Sequence, residues 1–445
     1  MTRVLFAAAV ASMTTASAVA PAYAQSASAG GQPAARSLEL AALQRAAIDA
    51  DPRTRALALQ EAQNDLRQRN VSAQWLPAFT VTALAQYQSD VVEPPPIVPG
   101  GKPLFVPPKA TVDSYLRIDQ RIFDPTISVQ AALEKAQLDE NQARVRTALY
   151  ARRQAVNDAF FAAALLQQHT LTLDAAVADL EARLRETEVR VREGAALPTD
   201  AAAVEATLLQ RREDVAAVRA DRRAALARLA KITGQPIAAD DVLVLPDTTA
   251  AVAEARRAPE TLRGRPEFAQ FAVTRERIAR QQDATTAQDR PKITAFGRVG
   301  YGRPGLNFID DVWDSYAIGG VQFQWKAWNW GVTGREKEAQ TLQQQIVDTE
   351  QAAFAQSISE AIELDVATID RLRETLATDD RIVALRESID RSLKVRLDEG
   401  VVTASEYLDR NTELLQARYN RAGHQVELAR SGARLLTTLG VEVKE

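Results

Sequence analysis

Four stretches of the chain alternate apolar and polar residues with a period of two. Phe79, Val81, Ala83, Ala85 and Tyr87 alternate with Thr80, Thr82, Leu84 and Gln86, and Val112, Leu116, Ile118 and Ile122 with Asp113, Tyr115, Arg117, Asp119 and Arg121. Further on, Ile293, Ala295, Val299 and Tyr301 stand against Lys292, Thr294 and Arg298, then Val321, Phe323 and Trp325 against Gln322, Gln324 and Lys326. A period of two places the apolar set on one face of a strand. Strands are therefore predicted at about 78–88, 111–122, 292–301 and 315–326.

Elsewhere the period is helical. Residues 126–193 and 332–399 lack internal proline and are rich in Ala, Gln, Glu, Arg and Leu, all strong helix formers. Either helix would reach about 100 Å, more than the width of a compact domain. Ile358, Ile362, Val366, Ile369, Leu372 and Leu376 form one apolar seam, as do Val204, Leu208, Val215, Val218, Ala225 and Leu229, while the other faces are charged. These patterns predict antiparallel coiled-coil hairpins turning at Gly194 and Gly400, because glycine adopts the left-handed conformation that ends a helix. The predicted helices are 37–76, 126–193, 199–233, 261–289, 332–399 and 403–440.

The order of elements repeats. Pro52 and Pro77 return as Pro266 and Pro291 at an offset of 214. Arg190-Val-Arg-Glu-Gly194 returns as Arg396-Leu-Asp-Glu-Gly400 at an offset of 206, with Leu208-Leu209-Gln210, Ala227-Arg228-Leu229 and Gly234 repeated at the same offset. A duplicated unit follows: helix, β-hairpin and long helix pair, at 37–240 and 261–445, joined by a linker at 241–260. The eight residues by which the offset falls belong to Pro94–Pro108, which holds seven of the 19 prolines and so forms a loop.

Composition limits the chemistry. The 445 residues include no cysteine and only two histidines, His169 and His424, which removes disulfide, thiolate-metal and thiol chemistry. A formal charge of −4 gives no electrostatic case for nucleic acid. Mean hydropathy is −0.22, and beyond the N-terminus no run of apolar residues is long enough for a membrane helix. Residues 1–24 have the three parts of a signal peptide: Arg3, an apolar core at Val4–Val10, and Ala22-Tyr23-Ala24 before Gln25. Residues 25–36 are expected to be a flexible leader. Without cysteine, a thioether lipid anchor is not expected.

An export signal beside four amphipathic strands points to an outer-membrane barrel, although alternation alone does not exclude a soluble sheet packed on helices. Trp75, Phe123, Trp325, Trp328 and Trp330 stand at the strand–helix junctions, where an interfacial aromatic girdle belongs. Four strands cannot close a barrel, and open edges in lipid leave backbone groups unpaired. Two chains would give eight strands and a filled interior, three would give twelve and an open pore.

This combination resembles the TolC family of trimeric outer-membrane efflux channels, over about residues 37–440. The resemblance is carried by the duplicated unit, Arg265-Pro266-Glu267, the two Arg-x-x-x-Gly turns, and the junctions Phe123-Asp124-Pro125 and Trp328-Asn329-Trp330-Gly331. The first junction lacks the family's glycine. The resemblance implies a mainly α fold in which a homotrimer forms a 12-stranded barrel in the outer membrane, continued by a periplasmic α-helical tube. Residues 234–262 and the chain ends would form a belt around it. The tips at 190–200 and 396–409, with Arg190, Gly194, Arg396 and Gly400, would meet a periplasmic adaptor linked to an inner-membrane pump.

Glu406 and Asp409 share a helix face at i and i+3 and match positions where the family places acidic pore constrictions. Asp200 is the equivalent of Glu406 in the first copy. Threefold symmetry would turn each into a carboxylate ring that attracts cations. Read without the family, the same residues are a solvated charged face. The family's Arg and Tyr locking partners are replaced by Val402 and Leu397, so the closed tip must be tied differently.

No nucleotide, metallopeptidase or serine-hydrolase motif occurs, so neither an enzyme nor a cofactor is expected, and energy for transport must come from a partner. The alternative is a periplasmic coiled-coil adaptor or rod without a barrel. It would share the export signal and long helices but not the whole-chain duplication.

Overall fold

Long uninterrupted runs of helix formers and four period-two segments set the architecture. The computed structural model describes residues 36–92, 98, 101, 105–257, 264–307 and 309–442. In chain order these form β1 (Ser37–Glu39), α1 (Leu40–Asp49), α2 (Arg53–Ala73), β2 (Ala78–Tyr87), β3 (Ala110–Phe123), α3 (Pro125–Tyr150), α4 (Arg152–Arg192) and α5 (Pro198–Thr233). They continue with β4 (Val242–Val244), α6 (Thr249–Arg257), α7 (Pro266–Ala287), β5 (Lys292–Arg303), β6 (Asp314–Gln324), α8 (Val332–Asp398) and α9 (Ala404–Leu439). The expected signal peptide, all but the last residue of the leader, and much of the Pro94–Pro108 loop lie outside the described residues.

The first predicted helix, 37–76, is corrected to a strand and two helices. Residues 37–39 pair in parallel with β4. The helix then breaks at Asp51-Pro52, since proline lacks the N–H an interior turn needs. Asp51 restarts the chain by accepting from the Arg53 N–H at 2.9 Å and is ion-paired with both Arg53 and Arg152. These pairings hold its carboxyl well below the usual range, the Arg53 side-chain hydrogen bond being the largest cause. The predicted 126–193 helix is interrupted at Ala151, where the backbone angles stay helical. Its neighbours are held by different partners: Tyr150 donates to the Thr437 carbonyl, Arg152 pairs with Asp51 and Arg153 with Glu442. The segment 241–260 is more than a linker, since β4 and α6 lie in it. The predicted helix 261–289 begins only at Pro266, whose fixed φ suits a first helical position. By contrast α8 runs 67 residues without a break.

All four long strands form one antiparallel sheet in the order β2-β3-β5-β6. On the sheet side of the molecule the helices neighbour one another as α2-α3-α7-α8, and on the far side as α5-α4-α9-α8. Three layers thus share one arrangement. The first-half element β2, α2 or α5 is an open edge, and the second-half element β6 or α8 is the other. The main core lies between the layers, where Leu40, Leu43, Phe160, Phe161, Leu229, Leu243, Val252, Leu435 and Leu436 interdigitate. The short β1–β4 ladder is pinned against it by Gln167, which donates to the Leu243 carbonyl and accepts from its N–H, both at 3.0 Å.

Candidate functional site

The sheet register sorts every strand residue onto one of two faces. Phe79, Val81, Ala83 and Ala85 share a face with Val112, Ser114, Leu116, Ile118, Ala295, Gly297, Val299, Ala317, Gly319, Val321 and Phe323. No charge falls on this face until Arg303, at the loop-side end, which pairs with Asp311. Most of its side chains are uncovered, with Val81 77% and Val321 65% exposed, while Ile118 and Ala295 on the central strands are half-buried. An apolar surface of this extent on a protein marks contact with lipid or another molecule. The opposite face carries Asp113, Arg117, Asp119, Arg121, Lys292, Arg298 and Asp314.

Those polar-face charges largely neutralise one another. Arg117 pairs with Asp119 at 2.9 Å, and Arg298 pairs with Asp113 while lying over the Tyr115 ring, 3.6 Å from its centroid. Tyr316 donates to Asp113 at 2.6 Å, and its ring occupies the space above Gly300 that any Cβ there would fill. This cluster ties β3, β5 and β6 together.

Both ends of the apolar band carry aromatics. Trp75, Phe123, Trp325, Trp328 and Trp330 all stand exposed at the helix side. Phe123 reaches the apolar face through a bulge between Arg121 and Phe123, which pairs it with Ile293; the alternation up to Arg121 would have placed it among the polar residues. At the loop side, sequence reasoning missed a second rim of Tyr87, Tyr301 and Trp313, the last two stacked 5.3 Å apart. Their common position at strand ends opposite the helices was the available signal.

At the other end of the molecule, Gly194 and Gly400 both sit at φ 74°. The Ala195 N–H donates to the Arg190 carbonyl and the Val401 N–H to the Arg396 carbonyl, at 2.7 and 2.8 Å. This reverse bonding closes each helix end and explains the Arg-x-x-x-Gly spacing in backbone terms. The two arginine side chains differ. Arg190 reaches across to the other hairpin and donates to the carbonyls of Leu397 and Asp398, at 3.1 and 2.8 Å. Arg396 is exposed and has no partner among the described residues.

Between the tips lies a core of Leu180, Val204, Leu208, Leu393, Val402, Tyr407 and Leu408, with Leu397 partly buried against it. Val402 and Leu397 thus serve as packing, and helix α4 supplies the polar ties. Asp179 accepts from Lys394 at 2.5 Å and from the Tyr407 hydroxyl at 3.2 Å. Arg183, only 3% exposed, pairs with Asp398 and Glu186, both at 2.8 Å, and stacks on the Tyr407 ring. Burial works against the Arg183 charge, but Asp398 outweighs it and raises the pKa. Burial, reinforced by Asp179, pushes the Tyr407 hydroxyl up, so it stays a donor.

The three candidate gate carboxylates are not equivalent. Asp200 accepts from the Leu197 N–H at 3.1 Å and so caps its own helix. In the second hairpin Thr403 performs that task, accepting from the Glu406 N–H at 3.2 Å. The Glu406 and Asp409 carboxylates are exposed and unpartnered among the described residues. His169 packs edge-on to Tyr419 and His424 meets Asp379, far apart in sequence. Among the described residues no group of three or more His, Cys, Asp or Glu could hold a metal, and no helix is long and apolar enough to cross a membrane.

No protein-family model matches the chain, and no curated protein matches it. Solved structures do. The outer-membrane protein VceC from Vibrio cholerae superposes with a TM-score of 0.64 at 15% identity, over 91% of this chain and 97% of that one. CusC, described in terms of transmembrane channel formation, gives 0.65 at 13% identity, over 90% and 92%. The MtrE outer-membrane channel of Neisseria gonorrhoeae in its open state gives 0.63 at 17% identity, over 91% and 89%. The chain therefore has the mainly helical fold of the TolC-like outer-membrane channels, essentially over its described length. Its structural neighbours are channel proteins.

Proposed function

We propose that this protein is the outer-membrane exit duct of an export system, in which three copies close a twelve-stranded barrel continued by a helical tube. One observation carries the reading: an uncharged, uncovered sheet face bounded by two aromatic rims, on a sheet whose edges are both open. Sheet edges in lipid must be paired, and the open edges of the sheet and of both helical layers fall in the same order. Head-to-tail association of β6 and α8 with the next copy's β2, α2 and α5 satisfies all three at once, and a closed ring is the way such contacts avoid a filament. Exposed Leu59 and Leu66 on α2, Leu209 on α5, and Leu342, Ile346, Leu364 and Leu385 on α8 are the apolar groups available to that contact.

In this reading the charged sheet face lines water, and the tips form the periplasmic entrance. Glu406 and Asp409 supply the uncompensated negative charge there, so a threefold ring favours cations; Asp200 adds charge while holding its helix start. Asp179, Arg183 and Arg190 keep the two hairpins of one chain together and hold the entrance narrow. Residues 190–200 and 396–409 would dock a periplasmic adaptor, and an inner-membrane pump would supply the energy. Arg396 and Val401, both exposed, are among the tip groups free for that contact, with Leu197.

Expression of the full chain followed by fractionation and planar-bilayer recording tests the proposal. Recovery only with detergent, as a trimer giving discrete conductance steps, is the expected result. A soluble monomer without detergent would refute it.

A further inference from the structure

The junction between β6 and α8, which supplies two aromatics of the helix-side rim, contains a strained segment whose backbone the rim alone does not explain. Trp330 sits at φ 57°, a left-handed conformation that a bulky side chain rarely adopts. Gly331 follows at φ 74°. Backbone strain of this kind persists only where surrounding contacts enforce it, and it tends to mark functional positions. Here the enforcing residue is Asn329. Its Nδ2 donates to Asp289 Oδ2 at 2.8 Å and to Thr333 Oγ1 at 2.5 Å, and its Oδ1 accepts from the Gly331 N–H at 3.1 Å. Arg335 adds a bond to the Trp330 carbonyl at 3.1 Å. The side chain between two tryptophans is thus turned inward and fixed, while Trp328 and Trp330 project at 73% and 80% exposure, edge to face with each other. A segment concerned only with joining a strand to a helix would not hold two indoles in water.

The surroundings identify what covers them. The segment continues the apolar sheet face through Phe323 and Trp325, so the indoles stand at its boundary with the helical layer. Three exposed cations flank them without a partner among the described residues: Lys326, Lys337 and Arg290, the last adjacent to the Asp289 that Asn329 holds. The nearby carboxylates Asp289 and Glu336 are bonded to the neutral amides of Asn329 and Gln340 and keep their charge, as does Glu338. With Arg335, whose side chain is bonded only to the Trp330 carbonyl, four cations therefore stand against three carboxylates among the described residues. Indoles favour the interfacial zone of a bilayer, and free Lys and Arg beside them favour anionic headgroups.

We infer that residues 325–337, with Arg290, form a preformed binding surface for the headgroups of anionic phospholipid in the leaflet on the helix side. The inference rests on reading the sheet as a membrane wall. Asn329 acts as the positioning residue, Trp328 and Trp330 enter the headgroup layer, and Lys326, Lys337 and Arg290 select phosphate that carries net negative charge.

The test uses the full chain reconstituted into vesicles of equal parts phosphatidylcholine and phosphatidylglycerol, with bromine on the acyl chains of one lipid or the other. Indole quenching is expected to be roughly twofold greater with brominated phosphatidylglycerol. The triple variant Arg290→Gln, Lys326→Gln, Lys337→Gln should bring the two lipids to equality, with retained oligomer on a native gel showing that it folds. Asn329→Ala should also lower the excess, with a red shift of indole emission. Equal quenching of the original protein, or an undiminished excess in the triple variant, overturns the inference and leaves the channel reading intact. Absence of quenching by either lipid overturns both.

Discussion

The two hairpin tips share a backbone and differ in nearly every side chain that matters. Both turn on a glycine at φ 74° and both close with the fifth residue back bonded to the carbonyl of an arginine. Around that common frame the first tip has Ala201, Ala202 and Ala203 where the second has Tyr407, Leu408 and Asp409. Arg190 crosses to the other hairpin, while Arg396 stays free. Asp200 caps its helix, while Thr403 takes that task in the second hairpin and leaves Glu406 unbound. The first hairpin is therefore the clamp, and the second is both the part clamped and the part that presents free charge. Because the turn is fixed by backbone bonds, its side chains are free to diverge.

The largest effect that tests this division is loss of Tyr407, which is fully buried between the hairpins. Tyr407→Ala is expected to cost the tip about 3–5 kcal/mol, measured as lost amide-exchange protection over 390–410 and as larger bilayer conductance. Tyr407→Phe keeps the packing and should cost only about 1 kcal/mol, for the bond to Asp179. If Tyr407→Ala left exchange unchanged, the second hairpin would not be clamped through this residue. Next in size is the contrast between the two arginines. Arg190→Ala removes two bonds to the carbonyl end of α8 and should destabilise the tip by roughly 1–2 kcal/mol. Arg396→Ala should stay within about 0.5 kcal/mol, so equal effects in exchange would erase the asymmetry.

How much of this was legible follows from what each pattern encodes. Strand alternation revealed the sheet faces, because side-chain period and burial face are one property. It could not show that a bulge carries Phe123 onto the apolar face, since an extra residue changes the phase without changing the residue types. The glycines marked both turns, because a left-handed position restricts the residue type. Neither Asp179 nor Arg183 could be found that way: they lie mid-helix in a heavily charged stretch, and only the packing of α4 on α8 and α9 distinguishes them from solvated neighbours. The break at Asp51-Pro52 was marked by a proline, which the single helix predicted over 37–76 ran through. The β1–β4 pairing was not, because three-residue strands over 200 residues apart leave no period to read.

A smaller effect tests the shared frame. Neither turn glycine would bring a Cβ within contact of anything, so the cost of a side chain there is purely conformational. Gly194→Ala and Gly400→Ala should each destabilise their tip by about 1–2 kcal/mol. Cysteine-free as the chain is, a spin label placed at the exposed position 195 or 401 would report each turn separately. Effects differing by more than a factor of two would mean that the turns are not backbone-determined alike.

The smallest effect on stability is expected where the effect on ion traffic is most direct. Glu406→Gln and Asp409→Asn remove two exposed carboxylates that hold nothing in place, so the tip should stay within about 0.5 kcal/mol. Reversal potentials in a salt gradient should nonetheless move toward zero, because a ring of uncompensated charge at a constriction sets which ion enters. The charged face of the sheet does not compensate, since its Arg117 and Arg298 already face Asp119 and Asp113, and its Arg121 faces Asp124 at the start of α3. Asp200→Asn serves as the contrast: asparagine still accepts the Leu197 N–H, so its helix cap should survive while one charge per chain is lost. If Asp200→Asn moved the reversal potential as far as the Glu406 and Asp409 pair does, both hairpins would feed the constriction equally. If only the pair moves it, selectivity belongs to the second hairpin, and the first contributes the frame that holds it there.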